Sequence, residues 1–180
     1  MLRLFVGINL PPEHKLRLSL LCGGMPGAKW VDPGNFHLTL RFIGEVDEGT
    51  AADIDAALAE VRAPRFALTL FGVGYFGGGG KPRMLWAGFE RSQPLLTLHE
   101  KVEHVLAARA GLEPDTRRYA PHVTLARLKD VAMPKLQAFL AEHALLRLDP
   151  FAVDHFSLIA SYLTKSGSIY EDQAEYPLSR

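Results

Sequence analysis

Cysteine, surplus charge and long apolar runs are all scarce in this 180-residue sequence. The single cysteine, Cys22, excludes an internal disulfide and any metal site built from several cysteines. Twenty Lys and Arg balance twenty Asp and Glu, which argues against a protein that coats nucleic acid through bulk electrostatics. This balance still allows a small anionic substrate held by a few local arginines.

No apolar run approaches the ~20 residues that a membrane span needs, so no membrane partner is expected. The apolar run at residues 4–10 contains Asn9 and leads into two prolines without a small-residue cleavage pattern, and we predict a first β-strand there rather than a signal peptide. The low cysteine content suits a reducing compartment, and we expect a cytoplasmic protein.

An internal repeat at an offset of 85 residues is the most informative feature of the sequence. The segment His37-Leu38-Thr39-Leu40 aligns with His122-Val123-Thr124-Leu125, and ten positions between His37 and Gly74 are identical to their counterparts. The period is too long for a solenoid. We therefore predict one domain over residues 1–180, built from two pseudo-symmetric lobes.

Each half shows the same order of predicted elements: strand, helix, His-x-Thr strand, helix, strand, turn and strand. Ser92 and Gly111 mark the ends of one helix, and Thr50 with Asp53 resembles a capping box at another. The predicted strands are 4–10, 85–90, 66–74 and 151–160, and the predicted helices are 11–21, 94–110, 51–61 and 135–146.

Strands and helices do not strictly alternate in this order, which favours an α+β fold over a parallel α/β fold. We expect each lobe to be a mostly antiparallel sheet with two helices on its outer face. An active-site groove would then lie between the two open sheet faces.

The two His-x-Thr strands place reactive groups on one face. Alternate side chains of a strand point the same way, so His37 and Thr39 share a face, and so do His122 and Thr124. Histidines on opposite walls of a groove suit hydrolysis of a cyclic phosphodiester, which needs one base and one acid on opposite sides of phosphorus. The threonine hydroxyls can donate to the non-bridging oxygens. Either histidine can take either role on this reasoning.

The paired motif resembles that of the 2H phosphoesterase superfamily, and within it the RNA 2′,3′-cyclic phosphodiesterases, also called 2′-5′ RNA ligases. The similarity runs from about Phe5 to Tyr176. Supporting residues are the segments 41–46, 85–88 and 126–127, and Ser161, Gly167, Tyr170 and Glu171.

The resemblance implies metal-independent hydrolysis of an RNA terminal 2′,3′-cyclic phosphate to a 2′-phosphate, with slow reversible 2′-5′ ligation as a secondary activity. It implies His37 as the proton donor and His122 as the proton acceptor. No cofactor and no metal are expected, and the partners are RNA ends or small nucleotide 2′,3′-cyclic phosphates. We expect a monomer.

Four further residues are candidates for binding substrate. The family uses an arginine at the place of Arg127, although its odd separation from Thr124 puts it on the wrong face unless the strand bulges or ends there. Arg41 lies an even number of residues from His37 and therefore shares its strand face, from which it could reach a phosphate. An arginine that only faces solvent at the end of the strand is an equally good interpretation. Phe42 or Tyr119 could stack on a base, although strand aromatics are more often core.

Two other patterns resemble known binding motifs but lack residues or spacings that those motifs require. His99 and His104 lie five apart rather than the four that a zinc-binding helix needs, and we expect surface residues. Gly77–Gly80 with Lys81 lacks the remaining residues of a phosphate-binding loop, which leaves a loop between strands.

Two alternative functions stay open at this point. One is a non-catalytic module that binds RNA ends with the same groove. The other is a cyclic phosphodiesterase acting on ADP-ribose cyclic phosphate or a 2′-5′ oligonucleotide.

Overall fold

Ten strands form two four-stranded sheets and one short pair in the computed structural model, which describes all residues from Met1 to Arg180. The first sheet has the order β10-β9-β1-β3, the second has the order β2-β7-β6-β5, and β4 pairs with β8. Every pairing between these strands is antiparallel. The elements are β1 (Leu2–Asn9), α1 (Pro12–Ser19), β2 (Ala28–Trp30), β3 (His37–Val46), α2 (Glu48–Leu58), β4 (Phe66–Leu68), β5 (Leu70–Gly78), β6 (Lys81–Phe89), α3 (Gln93–Ala110), β7 (His122–Leu128), α4 (Met133–Glu142), β8 (Phe151–Val153), β9 (His155–Thr164) and β10 (Gly167–Pro177).

The α+β class and the two antiparallel sheets confirm the predicted architecture, but each sheet combines both halves of the chain. The last strand of the first half, β5, pairs with β6 of the second half, while β9 pairs with β1. The short strands β4 and β8 pair with Ala67 opposite Ala152. These two alanines are themselves 85 residues apart, so the pseudo-two-fold axis passes through this pair.

The helix boundaries differ in part from the predicted ones. Helix α2 begins at Glu48 because the carboxylate of Asp47 accepts the backbone N–H of Thr50, so the predicted Thr50–Asp53 capping box is wrong. Helix α3 has the predicted cap, in which the Ser92 hydroxyl accepts from the N–H of Leu95. It ends as predicted at Gly111, whose φ of 66° is left-handed.

Two predicted strands are each split by a polar residue. The strand predicted over 66–74 is β4 and β5, separated at Thr69, and the strand predicted over 151–160 is β8 and β9, separated at Asp154. The split allows the first short strand to pair across the axis and the longer one to enter the sheet of the other lobe.

The apolar core lies on the side of the sheets away from the histidines. Leu38, Leu40, Val123 and Leu125 are at most 2% exposed and belong to one apolar cluster with the buried faces of all four helices. Burying these alternate side chains turns the His-x-Thr face of β3 and of β7 away from the helices. None of the helices combines the length and the apolar character that crossing a membrane requires.

Candidate active site

Strands β3 and β7 carry matching β-bulges directly after their His-x-Thr segments. In β3 the pairing with β1 skips Leu40, and in β7 the pairing with β6 skips Leu125, which stands 85 residues later. A bulge reverses the alternation of the residues that follow it. Phe42 and Arg127, also 85 apart, therefore return to the face that carries the histidines.

The bulges explain the outcome of the predictions for Arg127 and Arg41. Arg127 lines the cavity together with Thr124, so the bulge that its prediction required is present. The alternation that put Arg41 beside His37 does not hold. Arg41 reaches the rim of the cavity, but its guanidinium donates to Glu103 Oε2 at 2.6 Å and to the carbonyl of Glu113 at 2.6 Å.

A cavity of about 610 Å³ opens between the two sheets and contains all eight site residues predicted from the sequence. Its walls come from β1, β3, β9 and β10 on one side and from β5, β6 and β7 on the other. The predicted residues that line it are His37, Thr39, Arg41, Phe42, Tyr119, His122, Thr124 and Arg127.

His37 is held on both ring nitrogens. Its Nδ1 lies 2.8 Å from the carbonyl oxygen of Asn35, and its Nε2 lies 2.8 Å from the hydroxyl of Thr39. The carbonyl can only accept, so Nδ1 carries the proton and Nε2 of the neutral ring accepts from Thr39. Burial lowers the pKa of His37 to about 4, and the nearby charge of His122 acts in the same direction.

His122 repeats this arrangement with one difference. Its Nδ1 lies 2.7 Å from the carbonyl oxygen of Ala120, two residues earlier, as in the first motif. Its Nε2 has no hydrogen-bond partner, because the Thr124 hydroxyl donates instead to the sulfur of Met84 at 3.4 Å. Burial lowers the pKa of His122 as well. The cavity therefore holds two neutral imidazoles of the same tautomer, and only one of them has a free Nε2.

Aromatic rings fix both imidazoles from the side. His37 packs against Phe5, with ring centroids 4.6 Å apart, and edge-on against Tyr170 at 5.2 Å. His122 packs edge-on against Phe76 at 4.9 Å and lies 6.4 Å from the ring of Trp86. These contacts limit ring rotation, so that Nε2 keeps its direction in the cavity.

The predicted stacking residues Tyr119 and Phe42 have different environments. Tyr119 donates its hydroxyl to the carbonyl of Thr39 at 2.9 Å and stacks flat on His99, with centroids 3.9 Å apart. Phe42 is 46% exposed, and the guanidinium carbon of Arg3 lies 5.3 Å from its ring centroid. One ring is thus engaged within the protein, while the other is largely open to the cavity.

Sequence reasoning missed several residues of the cavity. Arg3 and Phe5 lie on the open face of β1, a position that alternation with Leu4 and Val6 could have revealed. His99 was predicted as a surface residue, but it lines the cavity because the segment after α3 folds Tyr119 onto it. No sequence pattern marks that contact.

No group of three or more His, Cys, Asp or Glu side chains comes together in a way that could hold a metal ion.

Equivalent strands that present two His-x-Thr motifs to one cavity define the class of the 2H phosphoesterases. The family model described as LigT-like phosphoesterase matches residues 8–86 and 90–170. The chain belongs to the LigT-like phosphoesterase family.

Similar proteins cover nearly the whole chain. A protein of Aeropyrum pernix named RNA 2′,3′-cyclic phosphodiesterase is 38% identical over 159 residues, which are 87% of this chain and 89% of that protein. A Thermotoga maritima protein with the same name is 34% identical over 177 residues, which are 94% of this chain and 92% of that protein. The crystal structure of Escherichia coli LigT in its apo form superimposes with a TM-score of 0.80 at 26% identity, covering 99% of this chain and 98% of that one.

Proposed function

We propose that this protein hydrolyses the 2′,3′-cyclic phosphate at an RNA end, or on a nucleoside, to a 2′-phosphate. The observation that carries the proposal is the pair of imidazoles, each with Nδ1 fixed by a carbonyl oxygen, that belong to opposite walls of one cavity. The names of the Aeropyrum pernix and Thermotoga maritima relatives support this substrate. The catalytic unit is one bilobal domain over residues 1–180.

The proposed reaction is an in-line displacement at phosphorus. A water oxygen bonds to phosphorus as the bond to O3′ breaks. The base takes the proton of the water, and the acid gives a proton to O3′. The product keeps the phosphate on O2′.

His122 serves as the proton acceptor and His37 as the proton donor in this proposal. The free Nε2 of His122 can take a proton from water, whereas Nε2 of His37 is bonded to Thr39. His37 is neutral in the empty cavity, but a bound phosphate favours the charged imidazolium and raises its pKa. The donor therefore gains its proton together with the anionic substrate.

Thr39, Thr124 and Arg127 bind the phosphate oxygens in this proposal. The hydroxyl of Thr124 has only a thioether as its partner, which is a weak acceptor that phosphate readily replaces. Arg127 has no carboxylate partner, so its guanidinium is free for a phosphate. These donors stabilise the charge that develops on the non-bridging oxygens, and no metal ion is required.

Ligation of 2′-5′ ends is a secondary activity of the same groups. A 5′-hydroxyl takes the place of water: His122 removes its proton as its oxygen bonds to phosphorus, and His37 protonates O3′ as the bond to O3′ breaks, which leaves a 2′-5′ phosphodiester. Water at high concentration competes with the 5′-hydroxyl and favours hydrolysis.

Incubation with 2′,3′-cyclic AMP in excess chelator tests the proposal. We expect 2′-AMP as the product, with unchanged rate after chelation. A 3′-AMP product would contradict the assigned leaving group, and strict dependence on a divalent cation would contradict the metal-free mechanism. Binding without turnover would instead identify a module that binds RNA ends.

A further inference from the structure

The charges of the cavity arginines differ sharply in how far they are neutralised. Arg41 is bound by Glu103 and Arg117 is bound by Asp115, so these two carry little free charge into the cavity. Arg3 also lines the cavity, yet it makes neither a hydrogen bond nor an ion pair, and its guanidinium lies over the ring of Phe42. Its charge is available to an anionic ligand.

The position of Arg3 along β1 sets its distance from the candidate catalytic pair. Leu4 and Val6 are buried in the core, so the alternate residues Arg3 and Phe5 face the cavity. Phe5 packs against His37. Arg3 stands two residues further out, about 6.6 Å along the strand. This spacing places Arg3 beyond the phosphorus that would lie between the two histidines.

The pseudo-symmetry of the cavity is broken next to Arg3. Phe42 and Arg127 occupy equivalent positions after the two bulges, so one wall offers a guanidinium where the other offers an open aromatic ring. Tyr170 on β10 belongs to the same wall as Arg3; burial raises its pKa, and the charges of Arg127 and Arg3 act in the opposite direction. Arg3 in one sheet and Arg127 in the other thus bring two guanidinium groups without a carboxylate partner to the same cavity.

We propose that Arg3 and Phe42 form a second nucleotide subsite for single-stranded RNA. Arg3 binds the phosphodiester that joins the terminal nucleotide to its 5′ neighbour, and Phe42 stacks on the base of that 5′ neighbour. A guanidinium matches the geometry of phosphate oxygens, and an exposed ring stacks on any base without sequence preference. This inference rests on the proposed function, because the cyclic phosphate sets where the second phosphate lies.

Arg3→Gln separates oligonucleotide from mononucleotide recognition. The substrates are 2′,3′-cyclic AMP and a trinucleotide that ends in the same cyclic phosphate. We expect the ratio of the trinucleotide KM to the mononucleotide KM to rise about tenfold, the cost of one charge-assisted contact. Arg17→Gln on the exposed surface of α1 is the matched control, since it removes the same charge away from the cavity. Equal ratios in the two variants would overturn the subsite.

Phe42→Leu tests the aromatic half of the subsite with an apolar replacement. Loss of stacking should raise the same KM ratio by about tenfold, because leucine offers the base no aromatic face to stack on. A ratio that stays at the wild-type value would remove Phe42 from the subsite.

Binding measured without turnover distinguishes this inference from the proposed function. The anisotropy of a labelled trinucleotide 3′-phosphate gives Kd at several salt concentrations. Arg3→Gln should make the slope of log K against log salt shallower by about 0.7, the value for one phosphate contact on a single strand. If the wild-type protein turns over neither substrate but Arg3→Gln still makes the slope shallower, only the proposed reaction is contradicted. A slope equal to that of Arg17→Gln would contradict the subsite whatever the turnover.

Discussion

At the scale of single residues, the environment of His37 makes its protonation depend on what fills the cavity. The neutral ring satisfies both nitrogens within the protein, through the Asn35 carbonyl and the Thr39 hydroxyl. Protonation turns Nε2 into a donor, and burial disfavours the charge. A phosphate bound beside the ring, as proposed, would supply the missing counter-charge.

His37 should therefore make the protein sensitive to mild acid. Its pKa is about 4 in the folded state and 6.5 for the free side chain, so the unfolded chain binds more protons between these values. The stabilising contribution is complete above pH 6.5 and is lost as the pH falls towards 4. Its size is on the order of 2 kcal/mol, since water reaches the half-buried ring from the cavity.

Denaturant unfolding of wild type and His37→Gln at pH 7 and pH 4.5 measures this contribution. The free energy of unfolding of wild type should fall more steeply with acid than that of the variant. An equal fall in the free energy of unfolding of the two proteins between pH 7 and pH 4.5 would show that His37 is not held neutral by the fold.

The sequence was sufficient to predict His37, His122 and both threonines as candidates, because the motif occurs twice at one offset. It could not predict which arginines carry free charge. Glu103 lies 62 positions from Arg41, and nothing in the sequence indicates that the two residues pair. That contact exists only because α3 packs beside β3 in the folded chain.

At the scale of elements, the two bulges determine which side chains enter the cavity. Leu125 and Ala126 are consecutive and both fully buried, which no regular strand with one open face allows. The sequence could not distinguish a bulge at this point from the end of the strand, since both give the same pattern of apolar residues. The repeat at offset 85 therefore predicted equivalent strands but not the reversal within each strand.

Helices α2 and α4 are equivalent by the repeat and differ in their N-caps. Asp47 caps α2, whereas the equivalent residue Ala132 gives α4 no side-chain cap although its backbone is extended. We expect Ala132→Asp to stabilise the protein by about 1 kcal/mol and Asp47→Ala to destabilise it by about the same amount. Thermal unfolding of the two variants measures both, and opposite signs are required. A destabilised Ala132→Asp would show that α4 cannot accept the cap.

At the scale of the whole molecule, the exchange of strands joins the lobes into one folding unit. Sheet one needs β9 from the second half, and sheet two needs β5 from the first half. Neither half can complete its sheet alone. The order of strands and helices was predictable from the sequence, but the partner of each strand was not. Pairing within one half and pairing between the two halves bury the same apolar faces.

The two tryptophans report on this coupling, because Trp30 on β2 and Trp86 on β6 both belong to the second sheet. Leu158→Ala removes a side chain that is 3% exposed on β9 in the first sheet, at a cost of roughly 2–5 kcal/mol. Tryptophan fluorescence and far-ultraviolet circular dichroism should shift together to lower temperature. Leu145→Ala, at a position that is 84% exposed, is the control and should change stability by less than about 0.5 kcal/mol. An unmoved fluorescence transition in Leu158→Ala would show that the lobes unfold independently.

The pH dependence of 2′,3′-cyclic AMP hydrolysis tests most directly whether the two histidines act as an acid–base pair. Burial lowers the pKa of both, so kcat/KM should be bell-shaped with its optimum below pH 6.5, and the optimum of kcat should be more alkaline because bound phosphate raises both values. His37→Ala and His122→Ala should each lose roughly 10²–10⁴-fold in kcat. A flat or one-limbed profile in the wild-type protein, or wild-type turnover in either variant, would contradict the pair.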